Sequence, residues 1–159
     1  MAIIQKLQPC LWFEKDAESA AKFYTSIFKN SQISSIVKYG DSASKTSGMP
    51  KGTTMSVSFT LEGQEFLALN GGPLFKFSEA ISFMIMCKDQ KEIDYYWDKL
   101  TSDGQEGPCG WLKDKYGLSW QVVAEKFEKL LTGPNGDKYM AELCKMKKPD
   151  MNKLEAAAK

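Results

Sequence analysis

The residues best suited to chemistry lie in one short stretch, CGWLKDKYGLSWQVV, at positions 109–123. This stretch predicts a hairpin whose turn ends at Gly117 and whose second strand alternates between two faces. Alternation puts Ser119, Gln121 and Val123 together on one face. An amide within an apolar strand either lines a pocket and contacts a ligand, or is a structural amide satisfied inside the protein.

Two residue types that are common in catalytic and anion-binding sites are absent. The 159-residue chain contains no His, and all 21 of its basic residues are Lys, so it contains no Arg. Without His, Ser-His-Asp and Cys-His catalytic sites are impossible within one chain, and the commonest transition-metal ligand is missing. A net charge of +1 and dispersed lysines predict that the protein does not bind nucleic acid. No catalytic constellation is recognisable, so whether the protein is an enzyme stays open.

The cysteines and the hydropathy pattern indicate the expected compartment. Cys10, Cys87, Cys109 and Cys144 lie far apart and form no CxxC pair, so neither a zinc site nor a disulfide framework is predicted. No run approaches the roughly 20 apolar residues that span a bilayer, and the first residues lack the features of a signal peptide. We therefore expect a cytoplasmic protein with reduced thiols and no membrane partner. Cys109 is either an accessible thiol or an inert loop cysteine.

The chain repeats a strand–helix unit. Residues 9–28 and 82–101 align at an offset of 73, so that Asp16 falls on Asp89 and the apolar stripes of the two predicted helices coincide. Both aspartates occupy N-cap positions, and Glu92 completes a capping box with Asp89. The sequence therefore predicts two copies of one structural unit.

Strands follow each predicted helix. In the first half they are expected at residues 31–39, 54–61 and 65–70, with a Gly/Ser/Thr/Pro-rich loop at 40–53. The second half is shorter and contains the hairpin. Each half is thus βαβββ, which gives one domain at 1–125 with module one at 1–75 and module two at 76–125. A C-terminal extension, residues 126–159, is predicted to form two or three short helices interrupted at Gly133-Pro134 and at Pro149.

Two βαβββ halves of this size resemble the vicinal oxygen chelate superfamily, which includes glyoxalase I, bleomycin-resistance proteins and extradiol dioxygenases. The closer resemblance is to its PhnB-like, or demethylubiquinone methyltransferase-like, group. It is carried by PCLWFEKDAESAAKFYTSIFKNS, ALNGGPLFKFSEAISFMIMCKDQKEIDYYWDKL and CGWLKDKYGLSWQVV, which cover most of residues 8–123. The resemblance implies an α+β fold in which each half curls a mixed sheet around a pocket, with the helices outside.

The resemblance also places the positions that ligate metal in enzymes of the superfamily. In this chain those positions are Pro9, Ala68 or Asn70, Ser82, and Gln121. Pro and Ala side chains cannot bind a cation, and neutral amides and hydroxyls are weak partners for zinc-type ions. We therefore expect no bound metal and no other cofactor.

Strand alternation supplies a predicted pocket wall that is mostly apolar with a few amides and hydroxyls. The candidates are Leu11, Phe13, Ala68, Asn70, Ser82, Met84, Met86, Cys109, Trp111, Ser119 and Gln121. The alternative is a filled core in which Asn70 and Gln121 bond to backbone or to each other. Residues 70–73, NGGP, form either an anion cradle or a plain turn.

These observations favour a metal-free protein that binds a small apolar or aromatic ligand carrying polar groups. One alternative is an enzyme on the same fold, of lyase, isomerase or dioxygenase type. Another is the methyltransferase that the family label implies, although the sequence has no Gly-rich loop between a strand and a helix. The resemblance also implies a homodimer.

Overall fold

Each half of the chain folds one long helix against one face of a four-stranded sheet. The structure, a computed structural model, describes residues 5–159 and divides into two units, unit 1 ending at Lys76 and unit 2 covering Phe77–Lys159. Both sheets are mixed and open, and the architecture is α+β, as predicted.

Unit 1 has the strand order β1-β4-β3-β2, with β1 parallel to β4 and the other pairs antiparallel. Its elements are β1 (Cys10–Phe13), α1 (Ala17–Ile27), β2 (Gln32–Lys38), α2 (Asp41–Ser47), β3 (Thr54–Leu61) and β4 (Gln64–Asn70).

Unit 2 repeats this plan in the order β5-β8-β7-β6, with β5 parallel to β8. Three short helices follow its last strand. Its elements are β5 (Phe83–Cys87), α3 (Gln90–Thr101), β6 (Gln105–Glu106), β7 (Trp111–Lys113), β8 (Ser119–Ala124), α4 (Phe127–Leu131), α5 (Gly136–Leu143) and α6 (Met151–Ala157).

The long helices have the predicted buried stripes. Ala20, Tyr24 and Ile27 of α1 are buried, and so are the residues at an offset of 73 in α3, namely Ile93, Trp97 and Leu100. Burial of such stripes against a sheet is the main source of helix stability in a small domain. The helical part of the predicted repeat is therefore confirmed.

The two helices begin differently. The Asp89 side chain accepts a hydrogen bond from the Glu92 N–H (2.9 Å), as predicted for an N-cap. Asp16 occupies the corresponding position but makes no side-chain capping bond. The first N–H of α1, on Ala17, instead donates to Oδ1 of Asn70 (2.8 Å), so a distant amide satisfies it.

The strands do not follow the offset of 73. Under the helices lie Leu11 and Phe13 in unit 1 and Ile85 and Cys87 in unit 2, which gives an offset of 74. The cause is the connection, because three residues (14–16) join β1 to α1 and only two (88–89) join β5 to α3. Since strand side chains alternate, a shift of one residue exchanges the two faces.

Two segments outside the sheets also contain helices, namely residues 40–53 and the C-terminal extension. The region predicted as a loop at 40–53 contains the short helix α2, which buries none of its residues and therefore lacks the apolar periodicity that reveals a helix. The C-terminal extension forms three helices, as predicted. Their buried residues Tyr139, Leu143 and Leu154, the tail cluster, pack within unit 2. Within residues 5–159 no helix is long and apolar enough to cross a membrane.

Candidate functional site

The face of the unit 2 sheet opposite α3, the distal face, carries most of the polar candidates. Cross-strand pairing places Lys113 directly opposite Ser119, and Trp111 directly opposite Gln121. On the other side of β8, Met84 is the parallel neighbour of Gln121. Directly paired side chains lie about 5 Å apart at Cβ, so these residues form one continuous surface.

A buried carboxylate builds the hairpin that supplies this surface. Asp114 is almost fully buried, and its Oδ1 accepts hydrogen bonds from the backbone N–H groups of Tyr116 (2.8 Å) and Leu118 (3.2 Å). Its Oδ2 accepts a hydrogen bond from Nε1 of Trp120 (2.8 Å). The turn is therefore held in one conformation, and this fixes the register that brings Lys113 opposite Ser119. The predicted hairpin with a turn that ends at Gly117 is confirmed.

A cleft of about 430 Å³ opens beside this hairpin in unit 2. Three of the distal-face residues, Trp111, Lys113 and Ser119, lie in its wall. The other lining residues are Glu79, Gln105, Glu106, Gly107, Pro108 and Leu112. A concave site that is mainly apolar with a few polar groups is typical of small-molecule binding.

Ser119 is the most informative residue in the cleft. Its side chain is fully buried, and among residues 5–159 its Oγ is the one buried side-chain nitrogen or oxygen atom without a hydrogen-bond partner. Leaving such a group unpaired costs about 1–3 kcal/mol. A hydroxyl both donates and accepts, so it can pair with a ligand carbonyl or hydroxyl when the wall around it opens to admit the ligand.

The charges of the cleft are paired. Lys113 Nζ lies 2.6 Å from Oε1 of Glu79, and this hydrogen bond is the main reason that the pKa of Glu79 is lowered. Glu106 accepts a hydrogen bond from Nε1 of Trp97 (3.0 Å), which is the main cause of its own lowered pKa, and Lys147 lies 3.6 Å away. Each carboxylate thus has a lysine beside it, and the wall has no unbalanced charge.

Gln121, the amide singled out from the sequence, has a partner. Its Nε2 donates to Oγ of Ser82 across 2.9 Å, and both residues are half-buried on the distal face. Met84 and Met86 of the neighbouring strand are 41% and 54% exposed. The predicted distal-face position of these residues is confirmed, and a ligand contact for them stays a prediction.

The face predicted for the unit 1 candidates is wrong. Leu11, Phe13 and Ala68 are buried on the α1 side of the sheet and not on the opposite face. Asn70 lies there too, because its Oδ1 caps α1 and its Nδ2 donates to the Thr54 carbonyl (2.9 Å). Asn70 is therefore the satisfied structural amide of the alternative interpretation. The opposite face of unit 1 carries Trp12, Leu67 and Leu69, all half-buried.

The turn after β4 is a structural turn rather than an anion cradle. The N–H of Gly71 donates to the Phe13 carbonyl (2.9 Å) and that of Gly72 to the Glu14 carbonyl (3.1 Å). The Trp12 indole lies over Gly71, where a Cβ atom would overlap its ring, and Nε1 of Trp12 donates to the Gly72 carbonyl (2.9 Å). Close packing against Trp12 thus explains Gly71, and a positive φ of 86° explains Gly72.

Cys109 lies at the edge of the cleft wall, next to Pro108. It is half-buried, packs against the tail cluster and has a left-handed backbone conformation with φ 57°. Burial raises the pKa of its thiol, and a hydrogen bond with the Cys144 thiol raises it further. These properties favour the interpretation of a loop thiol that reacts slowly with reagents in solution at neutral pH.

The residues at the superfamily's metal positions do not fit a divalent ion. The amide of Asn70 is occupied by Ala17 and Thr54, and Ala68 is buried with no donor atom. Gln121 and Ser82 offer one neutral amide and one hydroxyl, which are weak ligands for zinc-type ions. Within residues 5–159 no group of three or more Cys, Asp or Glu side chains is arranged to hold a metal.

Comparisons with known proteins agree with this architecture. The family model described as 3-demethylubiquinone-9 3-methyltransferase matches residues 5–123. The chain belongs to this PhnB-like family. A similar solved structure is a PhnB protein from Bacillus cereus, described as a putative 3-demethylubiquinone-9 3-methyltransferase. It is 37% identical, with a TM-score of 0.65 over 76% of this chain and 99% of that chain.

More distant structures share the fold. A protein from Pseudomonas aeruginosa is 17% identical, with a TM-score of 0.61 over 77% of this chain and 98% of that chain. The fosfomycin resistance protein FosX from Listeria monocytogenes, solved with Mn(II) and dihydroxypropylphosphonic acid, is 19% identical, with a TM-score of 0.54 over 81% and 98% of the two chains. This PhnB-like chain therefore has the glyoxalase/bleomycin-resistance fold. None of the curated proteins compared with it matches.

Four polar residues of the cleft were not singled out from the sequence, namely Glu79, Gln105, Glu106 and Lys113. Lys113 could have been predicted, because alternation in the strand WLK places it on the same face as Trp111. Glu79 could not, because it lies in the irregular segment before β5, where no periodicity indicates which way a side chain points.

Proposed function

We propose that this PhnB-like protein binds a small, uncharged organic molecule in the unit 2 cleft without a metal ion. The observation that carries the proposal is the buried Ser119 hydroxyl, which has no partner and lies in the wall of the cleft. The Trp111 ring offers an apolar surface in the same wall. A ligand with an aromatic body and a carbonyl or hydroxyl group matches both features.

The charge of the ligand follows from the paired lysines and carboxylates. Lys113 is already neutralised by Glu79, and Glu106 has Lys147 beside it. A ligand carboxylate would have to displace Glu79 or approach two ionised carboxylates. A ligand cation would meet no free carboxylate. We therefore expect neutral compounds to bind better than charged analogues of the same shape.

The first experiment is a native mass spectrum of freshly purified protein, which detects a ligand that co-purifies. The second compares acetophenone with benzoate by ligand-observed NMR, because these probes share a ring and differ in charge. Acetophenone should bind more tightly. The Ser119→Ala variant should weaken its binding roughly tenfold, whereas Ser44→Ala, which changes a serine of unit 1, should leave it unchanged.

Equal binding of acetophenone to the wild type and the Ser119→Ala variant would contradict the proposed role of the hydroxyl. Tighter binding of benzoate than of acetophenone would contradict the proposed ligand charge. Stoichiometric zinc, nickel, manganese or iron in undialysed protein, measured by elemental analysis, would contradict the metal-free site.

The family description supports a second candidate, methyl transfer, because methyltransferase is the activity in its name. A methyltransferase must bind a methyl donor. Calorimetry with S-adenosylmethionine therefore separates the two functions. Saturable binding with a stoichiometry near one would favour the enzyme, and no heat of binding would favour the binding protein.

We also propose that the protein is a homodimer, as its resemblance to the superfamily implies. The tail adds little to this proposal, since Leu143 is buried within the tail cluster and Met140 is partly exposed. Light scattering at micromolar concentration tests the assembly, and a monodisperse species of 17.8 kDa would show a monomer instead.

A further inference from the structure

Two cysteines that are 35 positions apart in the sequence come together in unit 2. The backbone N–H of Cys109 donates to the Met146 carbonyl, and that of Gly110 to the Lys147 carbonyl, each across 2.8 Å. These bonds join the loop before β7 to the segment directly after α5. Cys144 is the C-cap of α5, two residues before Met146, so these bonds bring its side chain next to that of Cys109.

The two thiols differ in their exposure to solvent. Cys144 is exposed and open to a reagent in solution, whereas Cys109 is half-buried against the tail cluster. Cys109 also has a positive φ of 57°, which only two other described non-glycine residues, Asn30 and Glu62, share. Glycine would adopt this conformation at lower cost, yet the position carries a side chain that lies against Cys144.

We propose that Cys109 and Cys144 form a reversible thiol–disulfide site that reacts with small disulfides such as oxidised glutathione. The exposed Cys144 thiolate attacks one sulfur of the oxidised glutathione, and a glutathione thiolate leaves. The Cys109 thiolate then attacks the Cys144 sulfur of the mixed disulfide, and the second glutathione leaves. Two protein thiols are oxidised, one glutathione disulfide is reduced to two glutathione molecules, and these take up the two protons.

The product links the loop that contains Gly107 and Pro108 to the end of α5. The bond closes a loop over residues 109–144 and restricts the unfolded chain, so it should stabilise unit 2. The inference is independent of the proposed ligand, because neither Cys109 nor Cys144 is among the residues that line the cleft.

The remaining cysteines provide internal controls. Cys87 is buried in β5, and burial raises its pKa to about 12, so it should not react at neutral pH. Cys10 is exposed and lies in unit 1. A reagent that oxidises any accessible thiol will modify Cys10 as well, whereas an intramolecular bond requires the neighbouring pair.

The experiment uses the full wild-type chain, equilibrated with oxidised and reduced glutathione at several ratios and quenched with N-ethylmaleimide. Apart from any glutathione carried by Cys10, the expected product has lost two hydrogen atoms by intact mass, and its peptide map links Cys109 to Cys144. Its melting temperature should rise by roughly 5–10 °C relative to the reduced protein. Dithiothreitol should reverse both changes.

Two variants complete the test. Cys10→Ser should form the same bond, whereas Cys109→Ser should stop at a stable glutathione adduct on Cys144. Stable glutathione adducts on both Cys109 and Cys144 of the wild type, or a disulfide that links two chains, would overturn the proposal. The wild-type peptide map decides the question even if a variant folds poorly.

Discussion

Replacing Ser119 with alanine should stabilise the ligand-free protein, which is the reverse of the usual effect of losing a buried polar group. In the wild type the hydroxyl is fully buried and without a partner. Such a group costs about 1–3 kcal/mol relative to one that is hydrogen-bonded or absent. Removing a single oxygen leaves little empty volume, so the loss of packing is small.

We therefore expect the free energy of unfolding of Ser119→Ala to rise by about 1 kcal/mol, with a melting temperature about 2–4 °C higher. The matched control is Ser82→Ala, the same substitution near the same face. There the hydroxyl accepts a hydrogen bond from Gln121, so its removal should cost about 1 kcal/mol. The two variants should shift in opposite directions.

Urea unfolding followed by circular dichroism measures both changes, after native mass spectrometry has shown that the samples carry no ligand. Destabilisation of Ser119→Ala by as much as Ser82→Ala would refute the reasoning. It would mean that the Ser119 hydroxyl is satisfied in solution, and the observation that carries the proposed binding site would be lost.

Three other perturbations test the elements that hold the sites. Asp114→Asn should lower the free energy of unfolding by about 2 kcal/mol in urea titrations, since its amide nitrogen would face the Trp120 N–H donor. Gly71→Ala should cost about 1–3 kcal/mol in the same assay, because the added Cβ overlaps the Trp12 ring. The pKa of Glu18 is lowered to about 2, first by the hydrogen bond from Lys22. The contribution of ionised Glu18 to the free energy of unfolding is therefore present above pH 4.5 and lost as the pH falls toward 2. The urea midpoint of Glu18→Gln should lie below that of the wild type at pH 7, and the two midpoints should converge near pH 2.

Much of the fold could be predicted from the sequence because the relevant signals are local. The apolar stripe of α3 begins at Ile93, about one turn after the cap at Asp89. The hairpin is encoded by the alternation in β8 and by the turn residues that begin at Asp114. In the tail, α4 ends two residues before Gly133 and α6 begins two residues after Pro149, because glycine and proline interrupt helical backbone.

What could not be predicted depends on contacts between distant residues or on the length of a connection. Asn70 caps α1 from a position 53 residues away, and no local pattern distinguishes this role from a ligand contact. Cys109 meets Cys144 only because the tail folds back onto the loop before β7. The helix α2 was missed since it buries no residue and carries no apolar stripe.

The prediction of which side chains share a strand face in unit 1 was wrong because the connection between β1 and α1 is one residue longer than its counterpart in unit 2. Alignment of the helices at an offset of 73 made Leu11 the counterpart of Met84, but the longer connection before α1 makes that counterpart Cys10. Leu67 pairs with Cys10 in unit 1, and Gln121 pairs with Met84 in unit 2. Leu67 and Gln121 therefore occupy equivalent positions in the two units. The two repeats thus place an apolar residue in one unit where the other places an amide. Among the described residues it is the unit 2 copy that combines an amide, a lysine and an unpartnered hydroxyl on one face. Substitutions that test ligand binding therefore belong in unit 2.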